Sequence, residues 1–204
     1  MSDTEPEHRD VTTVTMWFDP VCPFSWNTAR WLTDAAAKTD ADIDWQLMNL
    51  AVLNEGRQLP PPQQARMHDS RQIGRLMTAI ALELGVTGLG SAYFAFGERY
   101  FHGAAVDDTL VDHVLRHAGA RRTTAAAVRD TSLDDMVRRS HQRAQDALGE
   151  PGGSPILRMN EHTFFGPVLT GLPDSGVAVA LFDALTTLSA IPQFTQLQRP
   201  RPAE

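Results

Sequence analysis

The spacing of apolar residues changes period several times along the chain, and each change predicts an element. Thr12–Phe18 (TTVTMWF) is rich in β-branched and aromatic residues and stops at Asp19-Pro20, which predicts a strand. From about Cys22 to Lys38, Trp26, Ala29, Thr33, Ala37 and their neighbours recur at helical spacing. Ile43–Leu50 returns to partial alternation and predicts a second strand. Strand, helix, strand in that order implies a parallel pair joined right-handedly. Leu59-Pro60-Pro61-Pro62 then breaks the pattern.

Residues 63–148 are helical almost throughout. Ile73, Leu76, Met77, Ile80 and Leu84 form one stripe, closed by Gly85, and Tyr93, Phe96, Tyr100 and Phe101 form an aromatic one. Leu110, Val111, Val114, Leu115 and Ala118 lie between a capping Asp107 or Asp108 and Gly119. A fourth stripe starts at Ser132 and ends at Gly149. Stripes of this width fit helices packed on a common core. Gly152-Gly153-Ser154-Pro155 ends the block, Pro155–Met159 resumes strand character, and Asn160-Glu161 turns the chain into His162–Phe165 as a hairpin partner. A last amphipathic helix covers Ser175–Ser189. The order is βαβ, a helical block, then ββα. It predicts an α/β chain with residues 11–58 and 150–197 as one domain, 59–149 as a helical insertion domain, and disordered tails at 1–10 and 198–204.

Composition narrows the function classes. With 204 residues, 42% of them hydrophobic, the chain can bury a sizeable core. A net charge of −7 argues against a nucleic-acid or anionic-membrane partner. No apolar run was expected to approach the roughly 18 residues that span a membrane. The acidic, polar Met1–Asp10 does not read as a signal peptide. The single cysteine excludes an internal disulfide and makes a cytoplasmic location the expectation.

That cysteine carries the chemistry. Cys22 follows a strand and a short turn and opens a helix, where unpaired N–H groups and the peptide dipole favour an anion. Cysteines so placed can ionise at about 3.5–7.5 instead of about 8.5. Cys22 is therefore the candidate nucleophile, expected to face the surface with a lowered pKa; the alternative is a buried structural cysteine. Pro23 suits the first helical turn. Ser25 stands one turn along, where its hydroxyl can favour the thiolate but cannot resolve a mixed disulfide. Phe24 is either an outward wall for an apolar substrate or a core contact. Asn54 and Glu55 follow the second strand at the sheet edge where ligands bind, with loop capping the alternative for Asn54. His141 is expected to be a hydrogen-bonded core histidine. His113 and His117 have helical ligand spacing but no third ligand, so they read as a solvated helix face and no metal site is expected. No Gly-rich nucleotide fingerprint is present.

Cys-Pro-Phe-Ser resembles the Cys-x-x-Cys site of thioredoxin-fold oxidoreductases with serine as its last residue. Together with Met48–Glu55 (MNLAVLNE), Gly153-Ser154-Pro155 and Phe164–Leu169 (FFGPVL), it resembles the actinobacterial mycothiol-dependent nitroreductase branch of the DsbA-like family. The resemblance implies a thioredoxin fold with a helical insertion, and Pro155 as a cis-proline opposite Cys22. It also implies that Ser154 offers its backbone to a bound thiol, and that mycothiol, or another low-molecular-weight thiol, is co-substrate in the reduction of a disulfide or a small electrophilic or nitro compound. The family pattern carries a second cysteine, so Ser25 implies a monothiol cycle. Kappa-type glutathione transferases and 2-hydroxychromene-2-carboxylate isomerases share the architecture and are the alternative enzymes; a non-catalytic binding or redox-sensing module is the other alternative. A homodimer through the aromatic helix Tyr93–Phe101 is a further expectation.

Overall fold

The computed structural model describes residues 12–200, so the expected tail at 1–10, and residues 201–204 of the one expected at 198–204, lie outside the described residues. Strands β1 (Thr13–Phe18), β2 (Asp42–Leu47), β3 (Ile156–Met159) and β4 (His162–Phe165) form one sheet in the order β2-β1-β3-β4. β1 and β2 are parallel and connected through helix α1 (Pro23–Thr39), whereas β3 and β4 complete the sheet antiparallel. Helices α2 (Leu50–Leu53), α3 (Pro61–Tyr100), α4 (Asp108–Ala118) and α5 (Asp134–Leu148) lie between β2 and β3 in the chain, and α6 (Ser175–Ser189) closes it. This is the expected thioredoxin-like βαβ…ββα order with a large helical insertion.

Alternation in β1 feeds two cores. Val14, Met16 and Phe18 point to one face and join a large cluster with Trp26, Trp45, Ile73, Leu76, Tyr93 and Leu110. Trp17 points to the other face and packs with Met48, Ala144 and Ile156. The insertion therefore shares its main core with the sheet.

Several boundaries differ from the sequence expectation for identifiable reasons. The second strand stops at Leu47 because Asn49 turns the chain into α2, its side-chain oxygen accepting from Val52 N at 3.0 Å. At Gly85 the expectation holds: this residue takes φ 71° and ψ −161°, a non-helical conformation that closes the first half of α3 and separates it from the second. α3 also corrects the expectation about apolar runs: it holds an 18-residue window of mean hydropathy 1.4. Ile73, Leu76, Met77 and Ile80 on this helix are fully buried in the protein's own core. The aromatic stripe is spent inside the molecule too. Tyr93 and Phe96 are fully buried, which removes them from the expected dimer contact. His113 is not on a solvated face: it is buried, its ring centroid 3.9 Å from that of His117.

α3 approaches α1 closely at Trp26. Trp26 stacks on Phe101 at 5.6 Å between centroids, and Gly97 lets α3 come this near, since a Cβ there would meet the Trp26 ring at 2.5 Å. Gly97→Ala is expected to destabilise the fold by about 1–3 kcal/mol, the usual cost of overpacking, measured by chemical denaturation. An unchanged midpoint would show that α3 is free to withdraw from α1.

Candidate active site

The β1–β3 register builds the site. Trp17 pairs with Ile156, so two residues further along each strand bring Asp19 opposite Ser154. Asp19 N donates to Ser154 Oγ at 2.8 Å. Ser154 precedes Pro155 through a cis peptide bond, as the family resemblance implied. Cys22 is the N-cap of α1, with Pro23 in the first turn, and its Sγ donates to the Ser154 carbonyl oxygen at 3.2 Å. Ser25 Oγ lies 2.5 Å from Ser154 Oγ. Cys22, Ser25, Ser154 and Pro155 are thus brought together from sites 132 residues apart in the chain. Phe24 is half-buried beside them.

Asn54 is not part of this cluster's hydrogen bonding. Its amide nitrogen donates to Leu50 O at 2.8 Å, the capping role that was the alternative. Glu55 forms a bidentate pair with Arg138 at 2.6 and 2.7 Å. His141 is buried, and Asn49 N approaches its Nδ1 at 3.5 Å.

Asp19 is the residue that sequence reasoning missed, having read it only as the end of a strand. It is fully buried. Oδ1 accepts from Val21 N at 2.8 Å, and Oδ2 accepts from Leu50 N at 2.7 Å and from Ser70 Oγ at 2.5 Å. Burial pushes its pKa up, while those three donors pull it back. The signal for it was an acid directly before a proline at a strand end, with no apolar reason to be buried. Ser70, which also accepts from Ala51 N at 3.2 Å, carried no such signal.

The expected surface-facing, easily ionised thiol is corrected. Cys22 is only 4% exposed. Burial pushes its pKa up from the ordinary value; the Ser25 and Phe24 backbone N–H groups and the Ser25 hydroxyl oppose this, and the nearby Asp19 charge adds to it. Desolvation outweighs the helix N-terminus here. Both this upward push and the 3.2 Å approach of the sulfur to a carbonyl oxygen favour the thiol form. Among the described residues no three His, Cys, Asp or Glu side chains gather as a metal site.

Similarity to known proteins agrees with this architecture. Residues 21–199 match the model of a family described as Rv2466c-like, mycothiol-dependent nitroreductase Rv2466c. An uncharacterized Mycobacterium tuberculosis protein, Rv2286c, is 31% identical over 201 residues, covering 94% of this chain and 83% of its own. A 2-hydroxychromene-2-carboxylate isomerase superposes with a TM-score of 0.59 at 16% identity, over 86% of this chain and 95% of its own. The cytosolic disulfide reductase DsbM from Pseudomonas aeruginosa, solved with GSH, gives 0.55 at 16% identity, over 86% of this chain and 99% of its own. At such identities the two structures speak for the fold.

The balance of forces at Cys22 gives a pH prediction. Iodoacetamide alkylation should be slow at pH 7 and keep rising beyond about pH 8.5, the free-cysteine value. Asp19→Asn, which removes the neighbouring charge, should shift the profile to lower pH and speed alkylation at pH 7, at some cost in stability. A wild-type midpoint below about 7.5 would mean that the helix terminus wins after all.

Proposed function

Since the chain belongs to the Rv2466c-like family of mycothiol-dependent nitroreductases, we propose that it is a monothiol oxidoreductase of the cytoplasm. In this reading Cys22 is the nucleophile and mycothiol the co-substrate. The observation that carries it is the Cys22 sulfur resting 3.2 Å from the Ser154 carbonyl, with a hydroxyl, Ser25, where a second thiol would stand.

The reaction begins with loss of the Cys22 proton. The thiolate attacks one sulfur of a substrate disulfide, forming a Cys22 mixed disulfide and expelling the other half as a thiolate, which takes up a proton. Ser25 cannot displace the adduct. A mycothiol thiolate therefore attacks it, regenerating Cys22 and leaving with the bound half as a mixed disulfide; a second mycothiol releases that half and becomes mycothiol disulfide. Two thiols are oxidised for each substrate disulfide reduced. For a nitro substrate the same two electrons and two protons give the nitroso compound and water. Ser154 supports the adduct by offering backbone groups beside the sulfur, and Pro23, Phe24 and Pro155 border the space it occupies.

Stopped-flow mixing with mycothiol disulfide, followed by acid quench and intact-mass analysis, tests this. Wild type should accumulate a Cys22–mycothiol adduct and release it at a rate proportional to added mycothiol. Cys22→Ser should form none while melting close to wild type. In Ser25→Cys the two cysteines stand one helical turn apart, a spacing that matches the Cα range of about 4.4–6.8 Å that a disulfide bridges, and the adduct should become short-lived because an internal thiolate competes at high effective concentration. Absence of a wild-type adduct, or equal lifetimes in wild type and Ser25→Cys, would overturn the monothiol cycle.

A further inference from the structure

β4 is an edge strand of the sheet, and it ends in two successive phenylalanines. Alternation sends them to opposite faces. Phe164 meets Phe194 at 6.1 Å between ring centroids, whereas Phe165 has no ring partner among the described residues and is 48% exposed. A single exposed apolar side chain is ordinary on a protein surface, so exposure alone assigns Phe165 nothing. Its position does.

Phe165 stands opposite Ile156, and Gly166 N donates to Pro155 O at 2.9 Å, which fastens the end of β4 to the residue after Ser154. The ring lies on the loop that leads into Ser154. A Cβ at Gly153 would come within 3.3 Å of Cε2 and 3.7 Å of Cζ, the far edge of the Phe165 ring. A Cβ at Gly152 would collide with Leu148 of α5. The two glycines therefore run as bare backbone between an aliphatic and an aromatic side chain. Gly153 and Ser154 are joined by a trans peptide, which sets their Cα atoms about 3.8 Å apart. The Ser154 carbonyl in turn lies 3.2 Å from the Cys22 sulfur. The Phe165 ring is thus one residue removed from the group that Cys22 touches, along a stretch with no side chain of its own.

We propose that Phe165 is a specificity-determining residue for aromatic substrates: the ring of a disulfide attacked by Cys22 lies against the exposed side of Phe165 and the Gly152-Gly153 backbone. Aromatic rings gain from offset or edge-to-face contact beyond the area they bury, and a loop of two glycines leaves room for a flat group to approach. The proposal rests on Cys22 being the nucleophile and adds which substrates it takes fastest.

Single-turnover mixing with dithiodipyridine, an aromatic disulfide, and with hydroxyethyl disulfide, an aliphatic one, tests it. In each case the Cys22 thiolate bonds to one sulfur, the S–S bond breaks, and the other half leaves as a thiolate that takes up a proton; intact mass reads the adduct. In Phe165→Ala the ratio of the aromatic to the aliphatic rate constant should fall about threefold to tenfold, the discrimination that loss of an aromatic contact brings. Phe165→Trp should keep the wild-type ratio or exceed it. An unchanged ratio in Phe165→Ala, or equal falls with both disulfides, would overturn the inference. Should the alanine variant not fold, Phe165→Leu decides: it keeps apolar bulk without a ring, so its ratio should fall too, and a wild-type ratio overturns the inference. Wild type that reacts with neither disulfide fails the nucleophile reading and this inference together. None of these measurements involves mycothiol, so a failure to form the mycothiol adduct is read separately.

Discussion

One buried carboxylate holds the site together. Asp19 takes hydrogen bonds from the turn that leads into α1, from the first residue of α2 and from Ser70 of α3, while its own backbone N–H is given to Ser154. Four separate stretches of chain meet at one residue. A buried carboxylate is tolerated only where its oxygens are satisfied, and here the donors come from segments that would otherwise be free to move apart. Removing any one of the three donor segments leaves the carboxylate short of a hydrogen bond. The geometry around Cys22 is therefore coupled to the docking of the insertion on the sheet.

The same carboxylate bears on the reactivity of the cysteine. Helix-terminal N–H groups and the Ser25 hydroxyl favour the thiolate, whereas burial and the Asp19 charge favour the thiol. The second pair prevails, which raises the Cys22 pKa, and the sulfur is almost covered. Such a thiol is protected from indiscriminate oxidation, which follows thiolate character and exposure. Reactivity then depends on what the approaching partner changes locally: water displaced, donors reoriented, the Ser154 carbonyl re-engaged.

Much of the fold was legible because periodicity reports burial. The strand and helix order, the place of the insertion, and the convergence of Cys22, Ser25 and Ser154-Pro155 could be drawn from pattern and resemblance. What escaped the sequence was set by tertiary context. Asn49 and Asn54 are both asparagines near a strand end, and only the packing of α3 shows that Asn49 is the buried one, bonded to Ser70 O at 2.9 Å. His113 looked solvated because one-dimensional spacing does not say which side of α4 meets α3. The thiol's pKa was misjudged for a related reason: a helix N-terminus is a local feature, while desolvation depends on everything packed around the sulfur.

Serine at position 25 gains meaning from its partner. Its hydroxyl is fully buried and paired with that of Ser154, so position 25 is filled by a group that holds the loop before Pro155 against α1. A hydroxyl pair can exchange donor and acceptor roles without moving heavy atoms. With Ser154 Oγ already accepting from Asp19 N, its own proton is free to point at Ser25, and the Ser25 proton is then free for the sulfur. One orientation of the pair suits the thiol and the other suits the thiolate.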